Sequence, residues 1–272
     1  DAVPPRRIDI KALQKHLVEI GNLPESVLTD EDSYPMPVEK VAAAVKDFAA
    51  GEGKGASVIL AQPNEALPLV KTAYQAASGQ EKLTYARLLG MMGDTTGLDA
   101  LLAELERTPA WDAGWDYRGM GQFGHAMSPL DTLIVAVGRT RSPQAVPALV
   151  AKLKLLTAES EFSHHRAISL ALELIGDSSA AKPLAEHLAK PGMMGYAHTS
   201  LARARELDDP KAHVRPEETR RTSLRELMVA RALYRCGDCE GLGKKTLQQY
   251  TEDLRGHLAR HAQAVLKQGS PR

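Results

Sequence analysis

The amino-acid sequence predicts an all-α fold, an α-solenoid or α-α superhelix of antiparallel helix pairs. Apolar residues recur at helical spacing, the breaks between these stripes resemble one another, and only 4% of the residues are aromatic while Ala and Leu are abundant. Strands are enriched in β-branched and aromatic residues, so this composition favours helices over sheets.

Four apolar stripes predict individual helices from position 98 onward. Within each stripe the apolar residues occupy positions i, i+3, i+4 and i+7, which lie on one face of a helix. The stripes are Leu98/Leu101/Leu102/Leu105, Leu130/Leu133/Ile134/Val137, Val146/Leu149/Val150/Leu153 and Ile168/Ala171/Leu172/Ile175. Each is only about two turns long, so each needs neighbouring helices to bury it.

The breaks between stripes define a repeat. A glycine followed by polar residues occurs at Gly93, Gly138, Gly176 and Gly237, and this pattern is typical of a tight helix–helix turn. The intervals of 45 and 38 residues match the roughly 40 to 47 residues of HEAT-like and armadillo-type helix pairs. The third interval, 61 residues, predicts an insert over residues 190–217. An irregular helical bundle is the alternative.

Capping signals locate the helix starts. Ser78 with Glu81 and Ser223 with Glu226 match the capping box, and the Ser-Pro pairs at 128–129 and 142–143 place a cap before a proline at the first helical position.

These patterns predict that the chain is divided into two regions. We expect an N-terminal helix and linker over residues 1–37, with the helix at 8–21, and a HEAT-like helical repeat domain over residues 38–268. Within the repeat domain, residues 57–77 predict a helical pair broken near Pro63, residues 107–128 a long loop and residues 245–267 a single last helix.

The charge balance disfavours nucleic acid as a partner, because 34 Lys and Arg face 34 Asp and Glu. No apolar run approaches the roughly 20 residues that cross a bilayer, so we expect no membrane span. The first residues contain neither an initiating Met nor a signal-peptide stretch, and we expect a processed or trimmed piece of a longer protein. The compartment, cytoplasmic or exported, is left open.

The 107–128 loop is the predicted contact surface. Long loops in compact arrays tend to be functional, and exposed aromatic side chains can stack on a sugar or anchor a protein interface. The candidate ligand- or partner-binding residues are Trp111, Trp115, Tyr117, Arg118, Phe123 and His125, together with Asp131 and His165 on the helices that follow. Alternatively, the tryptophans plug the end of a helix pair.

Three further patterns are weak. Residues 119–124 match G-x-G-x-x-G, but no strand precedes them, and we interpret them as a glycine-rich loop rather than a cofactor site. Cys236 and Cys239 have C-x-x-C spacing, which fits a redox dithiol, half a zinc site, a partly buried thiol pair or a local disulfide. His257 and His261 are four residues apart, as in a metal site, yet nearby arginines favour ordinary surface histidines.

Several segments resemble the HEAT-like C-terminal region of some bacterial FAD-dependent oxidoreductases. They are WDYRGMGQFGH at 115–125, SPLDTLI at 128–134 and DLRGHLARHA at 253–262, while IDIKALQ at 8–14 is similar to the helix that closes the flavoprotein portion. The resemblance implies an accessory role in substrate recognition, with FAD bound by a longer parent protein and no cofactor in this chain.

The predicted function is therefore non-catalytic: a binding or scaffolding domain that contacts a partner protein, an adjacent domain or a carbohydrate-like ligand. The accessory region of an oxidoreductase is the first alternative. The second is an enzyme that uses His125, Asp131 and a neighbouring histidine for acid–base chemistry.

Overall fold

The computed structural model describes residues 37–50, 55–113, 128–207 and 216–269, with 216–219 as backbone only, together with Lys15 and Glu19. Within these residues the fold is all-α, as predicted, with thirteen helices and no strand. The helices are α1 (Val38–Ala49), α2 (Ala56–Ala61), α3 (Pro63–Ala76), α4 (Gly79–Met91), α5 (Leu98–Arg107), α6 (Pro129–Arg139), α7 (Val146–Lys154), α8 (Phe162–Ile175), α9 (Ala181–Leu188), α10 (Leu201–Leu207), α11 (Pro216–Arg235), α12 (Leu242–Thr251) and α13 (Gly256–Gln268).

None of these helices is both long enough and apolar enough to span a bilayer. The predicted helix over residues 8–21 lies outside the described residues, apart from Lys15 and Glu19.

Contacts divide the chain into two compact units, residues 1–69 and 70–272, with the boundary inside α3. In the first unit α1 packs on α2, and Val41, Val45 and Ile59 are buried. Gly55 allows the two helices to approach closely, because a Cβ atom there would lie 1.9 Å from the carbonyl oxygen of Ala44. The predicted break between α2 and α3 at Pro63 is confirmed.

In the second unit the helices form two contact series that pack on each other. One series runs α4–α6–α8–α11, each helix contacting the next, and the other runs α5–α7–α9. The two series are joined by contacts of α5 with α4 and α6, of α7 with α8 and of α9 with α11. Beyond them α12 packs on α11, and α13 packs on α12. Buried side chains from Leu83 to Val265 form one continuous core.

The four predicted stripes are the faces that build this core. Every residue of the α6 stripe is buried, and in the α5, α7 and α8 stripes only one residue each, Leu102, Val150 and Ile175, is half-buried. Helix periodicity was therefore a reliable guide to the buried face.

The four predicted turn glycines divide into two kinds. Gly93, Gly176 and Gly237 have φ angles of 84°, 68° and 99°, the left-handed backbone expected of a glycine that ends a helix. Gly138 differs, because it lies inside the last turn of α6, and its turn takes the left-handed conformation at Arg141 instead. A Cβ atom at Gly138 would lie 2.3 Å from the Cα atom of Ala171, so this glycine lets α6 approach α8.

The capping predictions are partly confirmed. The side chain of Ser128 accepts a hydrogen bond from the N–H of Asp131 at the start of α6. Ser78 precedes α4 and Ser142 precedes a 3-10 turn at Pro143–Ala145, but neither side chain makes the capping hydrogen bond. The Ser223–Glu226 prediction was wrong, because both residues lie in the interior of α11.

Glu226 instead holds the segment that precedes α10. It is fully buried, and its carboxylate accepts hydrogen bonds from the N–H groups of Gly195 (2.9 Å) and Tyr196 (2.8 Å) and from the hydroxyl of Tyr250 (2.9 Å). One carboxylate thus joins the insert to α11 and α12.

The single last helix predicted over residues 245–267 is in fact two helices, α12 and α13. Between them the buried carboxylate of Asp253 accepts hydrogen bonds from the N–H of His198 (2.8 Å) and from Arg255. This carboxylate ties the break between the helices to the segment before α10.

Candidate binding site

A buried Asp–His pair connects α6 and α8 beside the predicted 107–128 loop. The Nδ1 atom of His164 on α8 is 2.8 Å from a carboxylate oxygen of Asp131 on α6, and its Nε2 atom is 3.1 Å from the carbonyl oxygen of Asp112. The side chain of Asp112 accepts a hydrogen bond from the N–H of Leu130 (3.0 Å). His164 therefore connects Asp112, near the start of the loop, to Asp131, just after its end.

Trp111 packs into the same cluster. Its ring centroid is 4.3 Å from that of His164, and its indole N–H donates to the carbonyl oxygen of Lys152 (3.3 Å). The ammonium group of Lys152 donates in turn to the carbonyl oxygen of Thr108. Trp111 is half-buried against the core, so of the two interpretations of this residue the geometry favours packing over an exposed ligand contact.

The other aromatic and polar candidates of the loop lie outside the described residues. They are Trp115, Tyr117, Arg118, Phe123 and His125, and the glycine-rich motif at 119–124 falls in the same gap. Their role in binding stays a prediction.

The Asp131–His164 pair is buried, and its hydrogen bond sets the protonation of the histidine. Burial alone would lower the pKa of His164, but the hydrogen bond and negative charge of Asp131 outweigh it and raise that pKa. His164 is only 2% exposed, and both ring nitrogens already have partners. A general base needs a free nitrogen within reach of a substrate, and the described geometry leaves none here.

His165, the predicted binding residue on α8, has partners other than Asp131. Its Nε2 atom is 3.0 Å from the carbonyl oxygen of Thr157, and its Nδ1 atom is 3.2 Å from Nε2 of His187, the two rings being stacked at 5.2 Å. Burial, followed by the charges of His187 and Arg225, lowers the pKa of His165 to about 2. The two histidines are therefore a neutral, buried pair.

The two cysteines are free thiols. Cys236 is buried and donates its S–H to the carbonyl oxygen of Leu172 (3.4 Å), and burial raises the pKa of Cys236 to about 12. A redox or zinc-binding thiol needs a low pKa, so this environment favours an inert buried thiol. Within the described part of the chain, no group of three or more His, Cys, Asp or Glu side chains is placed to hold a metal ion.

An open groove of about 370 Å³ lies among α8, α11 and α13. We call it the basic groove. Its apolar side chains are Leu170, Leu224 and Met228, which are half-buried, and Leu227 and Leu258, which are buried. Its basic and imidazole side chains are Arg166, Arg231, His257 and His261.

Arginine side chains outnumber carboxylates in and beside the basic groove. The only carboxylate that pairs with a lining residue is that of Glu173, 2.7 Å from Nε of Arg231, among the ion pairs of the described residues. Arg231 also lies 3.3 Å from Nε2 of His261, and burial, followed by the charge of Arg231, lowers the pKa of this histidine. Arg166 is exposed and forms no ion pair among the described residues, so the groove presents positive charge beside an apolar floor.

The sequence contains a spacing pattern that predicts this groove, but the pattern lies next to the apolar stripes and was not recognised. Leu224, Met228 and Arg231 follow helical spacing on α11, as Arg166 and Leu170 do on α8, each beside the buried stripe of its own helix. Only the packing of three helices brings them together. His257 and His261, interpreted as surface histidines, line the groove with one exposed and one half-buried ring. Comparison with known protein families, curated proteins and solved structures finds no match to this chain.

Proposed function

We propose that this chain is a non-catalytic binding domain, a HEAT-like α-solenoid whose basic groove holds an acidic, amphipathic segment of a partner protein. The solenoid arrangement is supported by the two contact series of the second unit, α4–α6–α8–α11 and α5–α7–α9. A stack of helix pairs produces such series, because each pair contacts mainly its neighbours.

The observation that carries the proposal is the mixed chemistry of the basic groove. The chain has no net charge, yet Arg166, Arg231 and His257 lie around the apolar side chains of Leu170 and Met228. An amphipathic helix places apolar residues at i, i+3, i+4 and i+7 into such a groove, and its flanking carboxylates face the cations. Opposite charges at the rim bring specificity and a faster association rate.

The test uses a synthetic peptide of known design. A fluorescent peptide of about 18 residues, or five helical turns, carries Leu at the apolar positions and Glu elsewhere, and its binding to the whole chain is followed by anisotropy. We expect binding that weakens as salt is raised, because exposed charges are screened. Arg166→Glu should weaken binding at least about tenfold by replacing attraction with repulsion.

The controls separate this groove from general attraction. A peptide with Lys in place of Glu should not bind, and Arg205→Glu, a matched charge reversal at an exposed arginine on α10, should leave the affinity within about twofold. Equal binding of both peptides, or equal losses in the two variants, would show that the groove is not the binding surface.

Other parts of the predicted function stay predictions. A carbohydrate-like ligand at the aromatic residues of the 107–128 loop is compatible with the same non-catalytic role. The resemblance to FAD-dependent oxidoreductases predicts an adjacent flavin domain as the partner.

A further inference from the structure

Arg225 on α11 is a buried cation in the second unit. Its side chain is 6% exposed, one terminal N–H donates to the carbonyl oxygen of Ala158, and the other terminal nitrogen donates to that of Gly192 (2.6 Å). No carboxylate lies within 4 Å of it among the described residues, and its Nε has no hydrogen-bond partner there. Its hydrogen bonds to these carbonyl oxygens are thus to neutral groups, and the carboxylates of Glu159 and Glu226 act on its charge only from a distance.

The groups behind Arg225 do not neutralise it. His165 and His187 form the neutral pair. The hydroxyl of Tyr196 donates to the carbonyl oxygen of Gly192 (2.9 Å), which also accepts from Arg225. The carboxylates of Glu159 and Glu226 act on the charge without forming an ion pair with it, and the oxygens of Glu226 already accept hydrogen bonds from backbone N–H groups and from Tyr250. Burying a charge without a partner is strongly unfavourable, so buried charges usually have an opposite charge beside them.

A cavity of about 460 Å³ lies in front of Arg225, and we call it the Arg225 cavity. One wall is the segment from Ala158 to Phe162, and the other is formed by Arg221, Thr222 and Arg225 on α11. Arg221 is one helical turn before Arg225 and therefore lies on the same face of the helix. This volume is within the range of small-molecule sites, roughly 300 to 1,000 Å³.

The side chains that line the cavity restrict the charge and the polarity of a ligand. Phe162 and Ala158 supply apolar surface, whereas the carboxylates of Glu159 and Glu161 also line the opening and would repel a second negative charge. A phosphate or a dianion is disfavoured for that reason. The guanidinium has five N–H donors and gives two of them to the carbonyl oxygens, and its buried Nε has no partner among the described residues.

We propose that the Arg225 cavity binds a small organic molecule with one carboxylate and an apolar, aromatic-sized body. The carboxylate lies toward Arg225 and Arg221, and the body packs against Phe162. This site is separate from the basic groove, so either proposal can fail without the other.

The experiment is calorimetric titration of the whole chain with 3-phenylpropionate. We expect a measurable dissociation constant, and binding at least about tenfold weaker for 3-phenylpropionamide, which has the same shape without the charge. Arg225→Gln keeps hydrogen-bond donors for the two carbonyl oxygens, and Arg221→Gln removes the half-buried second cation. Each variant should lose affinity by about tenfold or more.

Arg220→Gln is the matched control, because this exposed arginine is on the same helix and does not line the cavity. Circular dichroism checks that each variant is folded, and if Arg225→Gln unfolds, Arg221→Gln decides the matter alone. The proposal is overturned if the carboxylate does not bind at millimolar concentration, if the amide binds as well, or if Arg221→Gln behaves like Arg220→Gln.

Discussion

Adjacent histidines on α8 have opposite environments, and the contrast decides how each responds to pH. Asp131 raises the pKa of His164 in spite of burial, so the stability that this pair provides is present below pH 6.5 and is lost as pH rises through the raised value. Burial lowers the pKa of His165 to about 2 and that of His187 to about 4. Their stability is present above pH 6.5 and is lost as pH falls.

We therefore predict that the free energy of unfolding decreases between pH 6.5 and about pH 4.5. His164 adds nothing to the slope there, because below its unfolded pKa its contribution is constant. Each histidine that takes up a proton only on unfolding adds about 1.4 kcal/mol per pH unit. His187→Gln should remove one such increment and make the pH dependence shallower, as measured by urea denaturation at a series of pH values.

His257→Gln is the comparison for this prediction, since His257 is exposed on α13. It should leave the slope unchanged. If His187→Gln keeps the full slope of the unsubstituted chain, His187 is not buried in its neutral form.

The histidine that pairs with Asp131 was only partly predictable from the sequence. The sequence predicted Asp131 and His165 as binding residues on consecutive parts of the fold, and the structure instead pairs Asp131 with the adjacent His164. It could not tell His164 from His165, because consecutive helix residues point about 100° apart and the rotation of α8 is fixed by its packing on α6 and α11.

Local signals predicted the faces of the helices better than their ends. Apolar spacing is a property of each helix, so the buried faces of α5 to α8 could be read directly. The Ser223–Glu226 spacing also matches a capping box, but α11 begins at Pro216, at the favoured first position, and the carboxylate accepts hydrogen bonds from a segment 30 residues earlier. No local window contains those partners.

The contact between α6 and α8 depends on the absence of a side chain at Gly138. Alanine favours a helix over glycine by about 1 kcal/mol, but its Cβ atom would lie 2.3 Å from Cα of Ala171, a backbone atom that cannot move alone. Overpacking of this kind typically costs about 1 to 3 kcal/mol. The gain in helix propensity offsets part of this cost, so we predict that Gly138→Ala lowers the free energy of unfolding by about 1 to 2 kcal/mol in chemical denaturation.

Gly256→Ala is the matched change at the start of α13. Its Cβ atom would meet only the flexible end of Arg260, at 3.2 Å, so the effect should stay within about 0.5 kcal/mol. If both substitutions have the same effect, the close approach of α6 and α8 is not what Gly138 provides.

At the scale of the whole molecule, composition concealed the surface that matters most for the proposed function. Equal numbers of acidic and basic residues indicate no net attraction to any partner, yet packing gathers residues 166–170, 224–231 and 257–261 into one basic, apolar groove. Net charge is a sum over the chain, and it carries no information on how three distant helices distribute that charge in space.

The two compact units also differ in how much core each holds. The described residues of the first unit bury a few side chains, among them Val41, Val45 and Ile59, and α2 is only six residues long. The second unit buries one continuous core from Leu83 to Val265. Regions with few buried apolar contacts open at lower free energy than the core of a protein.

We predict that native-state hydrogen exchange, followed by mass spectrometry of peptides, detects this difference. Amides of α1 and α2 should exchange through openings of low free energy, whereas those of α6, α8 and α11 should exchange only near global unfolding. A low-urea series separates the two classes, because a global opening exposes more surface and its free energy falls more steeply with urea. Equal protection and equal urea dependence in α1 and α8 would mean that the chain unfolds as one cooperative unit despite the division of its contacts.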